Sequence, residues 1–288
     1  MSEFYTVTIE LNHSFEEQVS SILDLISPES YAYESPFQKD RTLDSRFCLY
    51  FDSEEKARQT KKILSPLLEP ISPEMILTIA EGDDADWQNE WKKFFQPIPI
   101  GEKLIILPAW EEVDAPQDKA VVLIDPGMAF GNGGHATTKG CLVFLEKLVE
   151  PNMTILDFGT GSGILAIAAH KLGANYVDAI DNDSVAIEIA AKNCQQNRCE
   201  DSIHLMVGES GIIPSRHYDL IVANITADVI MEHFDKLIDQ QPKLRHLILS
   251  GIIMHKKPAL DEYLAQRNIH PSELWHENGW FTYLIKTS

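Results

Sequence analysis

Three polar groups stand where apolar runs end, and their spacing suits the binding of a nucleoside-bearing ligand. The first is Asp157-Phe158-Gly159-Thr160-Gly161-Ser162-Gly163, which follows TIL and leads into ILAIAAHKLG. Glycines at a strand-to-helix turn let the backbone come close to a ligand, and the helix start offers unpaired N–H groups. The second is Asp181, at the end of YVDAID and about 20 residues beyond the glycines, where an acidic side chain can accept both hydroxyls of an adenosine ribose. The third is Asn224, which closes YDLIVAN at the carboxyl edge, where open α/β sheets bind ligands. A glycine-rich turn alone is equally an ordinary βα connection. Its partnership with an acid at the next strand end is the stronger signal. The glycines are spaced G-x-G-x-G, and Ile164 stands where a dinucleotide fingerprint has its third glycine, which argues against a nicotinamide-dependent oxidoreductase. Asp183 reads as the start of the next helix, and capping the segment after it is the alternative role for Asn224.

Upstream, DPGMAFGNGGHATTKG joins a glycine-rich loop to a helix expected near Ala136. Gly131, Gly133 and Gly134 give a loop of little bulk that reads as a lid, with Phe130 able to lie against a ligand or substrate. His135 is a conceivable general base, but beside a helix start it reads better as an anchor for the loop. Thr137 and Thr138 either bond the ligand or cap the helix.

The elements that must hold these residues alternate strand and helix from Thr154 onward: TILDFG, a helix from Ser162, YVDAID, a helix from Ser184, IHLMVG, YDLIVANI, a helix near Asp228, then HLILSGI. That is a parallel sheet wrapped by helices. A helix around Pro258 to Arg267 then leads to ELWHENG and WFTYLIKT, and Asn278-Gly279 between them signals a hairpin. The first eighty residues read differently. YTVTIEL puts Val7, Ile9 and Leu11 on one face of a strand, and SFEEQVSSILDLI is an amphipathic helix with Ser14 and Glu17 as its capping pair. YAYES, RFCLYF, a helix opened by Ser53, and MILTIAE complete a β-α-β-β-α-β order, that of a ferredoxin-like domain. The expected division is residues 1–82 as a recognition domain, 83–99 as a linker helix carrying Trp87 and Trp91 and ended by prolines, and 100–288 as the ligand-binding domain.

Length and composition agree with two cores: 288 residues, 44% of them apolar. No run of about 18 apolar residues is present to span a bilayer, and the start lacks a signal-peptide layout, so a cytoplasmic protein is expected. Four scattered cysteines without a CxxC pair suggest free thiols, neither a disulfide framework nor structural zinc. A net charge of −20 disfavours non-specific attraction to phosphate backbones and favours a cationic partner. The cluster Lys56, Arg58, Lys61 and Lys62 reads as a solvated helix face. No direct nucleic-acid readout is expected, and a monomer is the default.

FGNGGHATT, DFGTGSGILAIAAHKLGA, AIDND, VANITA and LSGI together resemble the ribosomal protein L11 methyltransferase family, over nearly the whole chain and including Trp87, Trp91 and the LPAW stretch ending at Trp110. The resemblance implies a Rossmann-like seven-stranded domain binding S-adenosylmethionine, with no metal, behind a small domain that recognises ribosomal protein L11. It also implies transfer of methyl groups to amines of that protein. Positions matching the family's cofactor residues are Thr138, Gly159, Asp181 and Asn224, with Gly161 added by the turn itself. Asn224 and Phe130 are expected to position the amine. The family loop usually reads FGTGTHPTT, whereas this chain carries Asn132, Gly134 and Ala136, which implies a looser loop. A methyltransferase acting on another protein, a nucleic acid or a small molecule is the alternative. A non-catalytic ribosome-binding protein is less compatible with the intact glycines and Asp181.

Overall fold

The computed structural model describes residues 4–15, 18–19, 22–23, 31–34, 43, 45–51, 53–82, 97–110, 119–125, 133–239 and 241–287. The chain divides into two units, Met1–Gln96 and Pro97–Ser288.

In the first unit, β1 (Phe4–Leu11), β2 (Tyr31–Glu34), β3 (Ser45–Phe51) and β4 (Ile76–Gly82) form a sheet in the order β2-β3-β1-β4. All three pairings are antiparallel, the arrangement a ferredoxin-like order requires. Val7, Ile9 and Leu11 are buried as their alternation demands, against Leu64 and Leu68 of helix α1 (Glu54–Leu68). On the opposite face the cross-strand pair Glu10 and Arg46 meets at 2.6 Å. Ser53 caps α1 by accepting from the Lys56 N–H. Lys56, Arg58 and Lys62 are exposed, Lys61 is half-buried, and Arg58 pairs with Glu54 at 2.5 Å, so three of the four basic residues lie on the solvated face expected. The capping pair assigned to the first helix is corrected. Ser14 lies inside a 3₁₀ turn, His13–Phe15, and Asn12 Oδ1 accepts from both its N–H and its hydroxyl. Asn12 therefore organises the turn, because its side chain reaches the backbone two residues on. Glu17, Trp87 and Trp91 lie outside the described residues.

The second unit is built on a seven-stranded sheet. Its strands are β8 (Thr154–Phe158), β9 (Tyr176–Asp181), β10 (Ile203–Val207), β11 (Leu220–Asn224), β12 (His246–Ile253), β13 (Glu273–Glu277) and β14 (Trp280–Lys286), in the order β10-β9-β8-β11-β12-β14-β13. Every neighbour is parallel except those involving β14, which runs against β12 and β13. Asn278 and Gly279 both take positive φ (50° and 77°), as the tight turn between β13 and β14 requires. One face is covered by α2 (Ala136–Leu148), α3 (Ile164–Lys171) and α4 (Ser184–Gln196), the other by α5 (Ala227–Ile238) and α6 (Lys257–Ala265). Helix α3 begins two residues later than the expected Ser162, because Gly163 at φ 82° is its N-cap.

A three-stranded sheet of β5 (Ile98–Ile100), β6 (Leu104–Pro108) and β7 (Ala120–Ile124) packs outside α2 and α3. β5 falls partly in the stretch expected to be linker, and Pro99 sits inside it. A proline without an N–H suits an edge strand, and β5 is one. Two side chains clasp this sheet. Glu146 of α2 accepts from the N–H groups of Glu102, Lys103 and Leu104 at 2.8–3.1 Å. Asn197 just past α4 accepts from Leu123 N–H at 2.9 Å and donates to its carbonyl at 2.6 Å.

β12 carries an irregularity between Leu249 and Ile252, and Gly251 there has φ 81°. A Cβ at this position would overlap the Ile225 carbonyl. Gly251→Ala is therefore expected to destabilise the fold by roughly 2–4 kcal/mol, strain and overpacking together. Urea unfolding checks this; an unchanged midpoint would contradict the packing at Ile225.

Candidate functional site

The three groups singled out in the sequence converge at the carboxyl edge of β8, β9 and β11. Gly159 leaves β8 at φ 77°, and the N–H groups of Gly159 and Thr160 both donate to the Ile180 carbonyl of β9 (2.8 and 2.9 Å). The next glycine reaches the same neighbour by another route: Gly161 N–H donates to Asp181 Oδ2 at 2.9 Å. Asp181 Oδ1 accepts from Asp183 N–H at 3.0 Å. Each Asp181 oxygen thus has one protein donor and spare lone pairs, and the residue is partly exposed. Asp183 plays the helix-starting part expected of it, accepting from Val185 N–H as the N-cap of α4.

Asn224 ends β11 and donates through Nδ2 to Thr138 Oγ1 at 3.3 Å. Its Oδ1 is buried and has no partner. The N-cap position of the helix after it is held by Thr226, whose side chain makes no cap bond, so Asn224 does not stand at the cap. Thr138 is fully buried in the first turn of α2, facing Asn224. That turn is fixed by neighbours on three sides. His135 is the N-cap of α2 and contacts Thr137 Oγ1 at 2.8 Å, with its ring edge-on to Trp280. Ser250 of β12 donates to the Thr137 carbonyl at 3.1 Å and meets Thr282 Oγ1 of β14 at 2.7 Å. His135 is thus engaged at the start of α2. Phe130, Gly131 and Asn132 lie outside the described residues.

Asp157 is the most strained member in electrostatic terms. It is completely buried, accepts through Oδ2 from the Thr160 hydroxyl (2.6 Å) and Ala166 N–H (3.1 Å), and leaves Oδ1 unpaired. Because Gly163 has no side chain to cap α3, Asp157 does so from the strand. Burial pushes its carboxyl up to about 7, against the pull of those two donors and with Asp181 adding to the rise. The edge therefore holds two buried oxygens without a protein partner, Asn224 Oδ1 and Asp157 Oδ1, the latter an acceptor when its carboxyl is ionised, with the Asp181 side chain at the next strand end. A ligand with hydroxyl and N–H donors and a positive centre complements such a set.

The family model described as ribosomal protein L11 methyltransferase (PrmA) matches residues 3–288. The chain belongs to this family. It is similar to the ribosomal protein L11 methyltransferase of Dictyoglomus thermophilum, 33% identical over 303 residues and 99% of each protein. It is also similar to that of Desulfitobacterium hafniense, 40% identical over 235 residues, 81% of this chain and 75% of the relative. Among solved structures, a ribosomal protein L11 methylase from Lactobacillus delbrueckii subsp. bulgaricus shares 32% identity with a TM-score of 0.62, covering 67% of this chain and 98% of that one.

This member of the L11 methyltransferase family also carries two exposed valines near the end of β9. Val207 pairs with Asp181 across β9 and β10, and Val185 follows the Asp183 cap; both are 52% exposed. A strand-end valine carries no signal in sequence that separates it from a core valine.

Asp157 has a consequence for stability. Its folded carboxyl is raised above the unfolded value of about 3.9, so its contribution is full below pH 4 and is lost as pH rises towards 7. Asp157→Asn stays neutral, so thermal midpoints measured without ligand should fall less between pH 5 and 8 in this variant than in the parent. Parallel curves would show that Asp157 is not protonated in the folded chain.

Proposed function

We propose that the chain transfers methyl groups from S-adenosylmethionine to amines of ribosomal protein L11, lysine side chains and the N-terminal amine among them. The observation that carries this is the acceptor set at the ends of β8, β9 and β11 in a chain of this family: Asp181 with spare lone pairs, and Asn224 Oδ1 buried without a donor. When bound, S-adenosylmethionine supplies a methyl group activated by a cationic sulfur. Asp181 takes the ribose hydroxyls, and Val185 and Val207 lie against the purine. The Gly159–Gly163 turn admits the ligand at close range, and Thr138 holds the Asn224 carboxamide so that Oδ1 faces it.

The remaining work is done on the amine. Its lone pair forms the new N–C bond as the S–C bond breaks, and its proton leaves to water. A lysine amine, with a free pKa of about 10.4, must be neutral first, and removal from water beside a positive centre lowers that value. Asn224 Oδ1 accepts an amine N–H and, with Phe130, holds the nitrogen in line. Near-attack positioning of this kind is worth roughly 7–11 kcal/mol. The proposal calls on no metal ion. Residues 1–82 recognise the ribosomal protein, a basic partner suited to a chain of net charge −20, in the cytoplasm and with the enzyme as a monomer. Among the described residues no helix is long and apolar enough to cross a membrane.

Tritium transfer from labelled S-adenosylmethionine to purified L11 tests this, with total ribosomal RNA and other basic ribosomal proteins as parallel acceptors. Label confined to L11 is expected. Label elsewhere would keep the methyltransferase reading and overturn the substrate. Asp181→Ala should weaken S-adenosylhomocysteine binding about 10- to 100-fold, the range for lost bonds to a charged acceptor. Asn224→Ala should lower kcat/KM about 100-fold; intact affinity and turnover in that variant would remove its role.

A further inference from the structure

We propose that Asn193 is a positioning residue for the glycine turn: its buried carboxamide joins the Ser162 carbonyl to the Asp125 amide and so holds the turn in its ligand-accepting shape. The inference rests on the cofactor reading of that turn given above. Asn193 is 1% exposed; Nδ2 donates to Ser162 O at 2.8 Å and Oδ1 accepts from Asp125 N–H at 3.2 Å.

Ser162 stands between Gly161 and Gly163, whose φ values are 54° and 82°. Peptides between two residues without Cβ atoms rotate at little steric cost, so the shape of the turn must be imposed by its partners. Two are internal to the sheet edge: Gly161 N–H donates to Asp181, and Gly163 N–H to the Thr160 carbonyl. The Ser162 carbonyl is held from the far side, by α4. One helical turn before Asn193, Ala190 comes so near that a Cβ on Gly163 would stand 3.1 Å from its own. Helix α4 thus backs the turn twice, by contact at Ala190 and by hydrogen bond at Asn193. A carboxamide is suited to the place because it offers a donor and an acceptor at one length, and aspartate offers only acceptors.

A neighbour on the same helix face separates positioning from general stability. Asn197, 3% exposed, bonds Leu123 in the same strand that Asp125 follows, but makes no bond to the glycine turn. Both residues satisfy the open side of β7. Asn193 alone of the two reaches the cofactor turn.

The test compares the full-length protein with Asn193→Asp, Asn193→Ala and Asn197→Ala. The measurements are S-adenosylhomocysteine affinity by calorimetry, well below the lowest thermal midpoint, and cofactor KM and kcat. Both Asn193 variants should raise Kd and KM for cofactor about tenfold or more, the scale of one buried hydrogen bond left unmade, with kcat at saturation little changed. Asn197→Ala should lower the thermal midpoint yet bind within about twofold of the parent, about a third of a decade. Parent-like binding by Asn193→Asp, or equal losses from Asn193→Ala and Asn197→Ala, would overturn the proposal. Failure of the unsubstituted protein to bind would instead overturn the cofactor reading beneath it.

Discussion

Two missing Cβ atoms beside Ile225 decide how the central strands end. Gly159 at the end of β8 and Gly251 in β12 flank the residue that leaves β11, and a side chain on either would overlap it. The backbone therefore crosses the top of the sheet low, close to its neighbours, and the helix that follows starts at Ala227. Asn224 is the last residue before this crossing, which is why its side chain stays at the carboxyl edge rather than rising with the loop. Parallel strands with crossover helices place their binding crevice at that edge. Here the height of its floor is set by glycines on two different strands, Gly159 in the glycine-rich turn and Gly251 in LSGI.

The electrostatic character of the edge follows from the same economy of side chains. A glycine N-cap lets α3 begin close to the sheet but leaves its first N–H groups without a cap from their own segment. Asp157 supplies one acceptor from the strand and is buried by doing so. The turn consequently carries a carboxyl that burial drives towards neutrality, next to Asp181, which its exposure leaves able to receive ligand hydroxyls. A sulfonium ligand brings positive charge to this region and favours the ionised carboxylate, whereas its demethylated product does not. The helix cap and the charge preference of the site are thus one residue's doing.

Much of this was legible because it is local. The G-x-G-x-G turn, Asp181 at the next strand end, the Asp183 cap and the Asn278-Gly279 hairpin each involve residues that meet their partners within one βα unit or one turn. Asn224 was legible for a related reason, since a polar residue ending an apolar strand has few places to go. What escaped involves partners far apart in the chain. Ser250 reaches the Thr137 carbonyl 113 residues away, and Asn193 reaches Asp125 68 residues away. Nothing in AIEIAAKNCQQN distinguishes an asparagine that bridges two backbones from one on a solvated helix face. Ser14 failed in the opposite sense: Ser-x-x-Glu fits a capping box, but Asn12 two residues earlier competes for the same backbone and its longer amide wins.

The three-stranded sheet shows how far side chains can stand in for secondary structure. A strand edge has unpaired N–H and C=O groups that need partners. Glu146 answers the β5–β6 turn with one carboxylate serving three N–H groups, and Gly101 at φ 50° leaves room for it where a Cβ would overlap the carboxylate. Asn197 answers β7 as a neighbouring strand would, giving one donor and one acceptor to Leu123. Both clasps come from helices that also touch the strand-end site, α2 through Thr138 and α4 through Ala190 and Asn193 behind the glycine turn. The small sheet is accordingly fastened to the elements whose placement matters most for the site. The clasp at Asn197 thus ties β7 to the end of α4 with no bond of its own to the glycine turn, whereas Asn193 on that helix makes one.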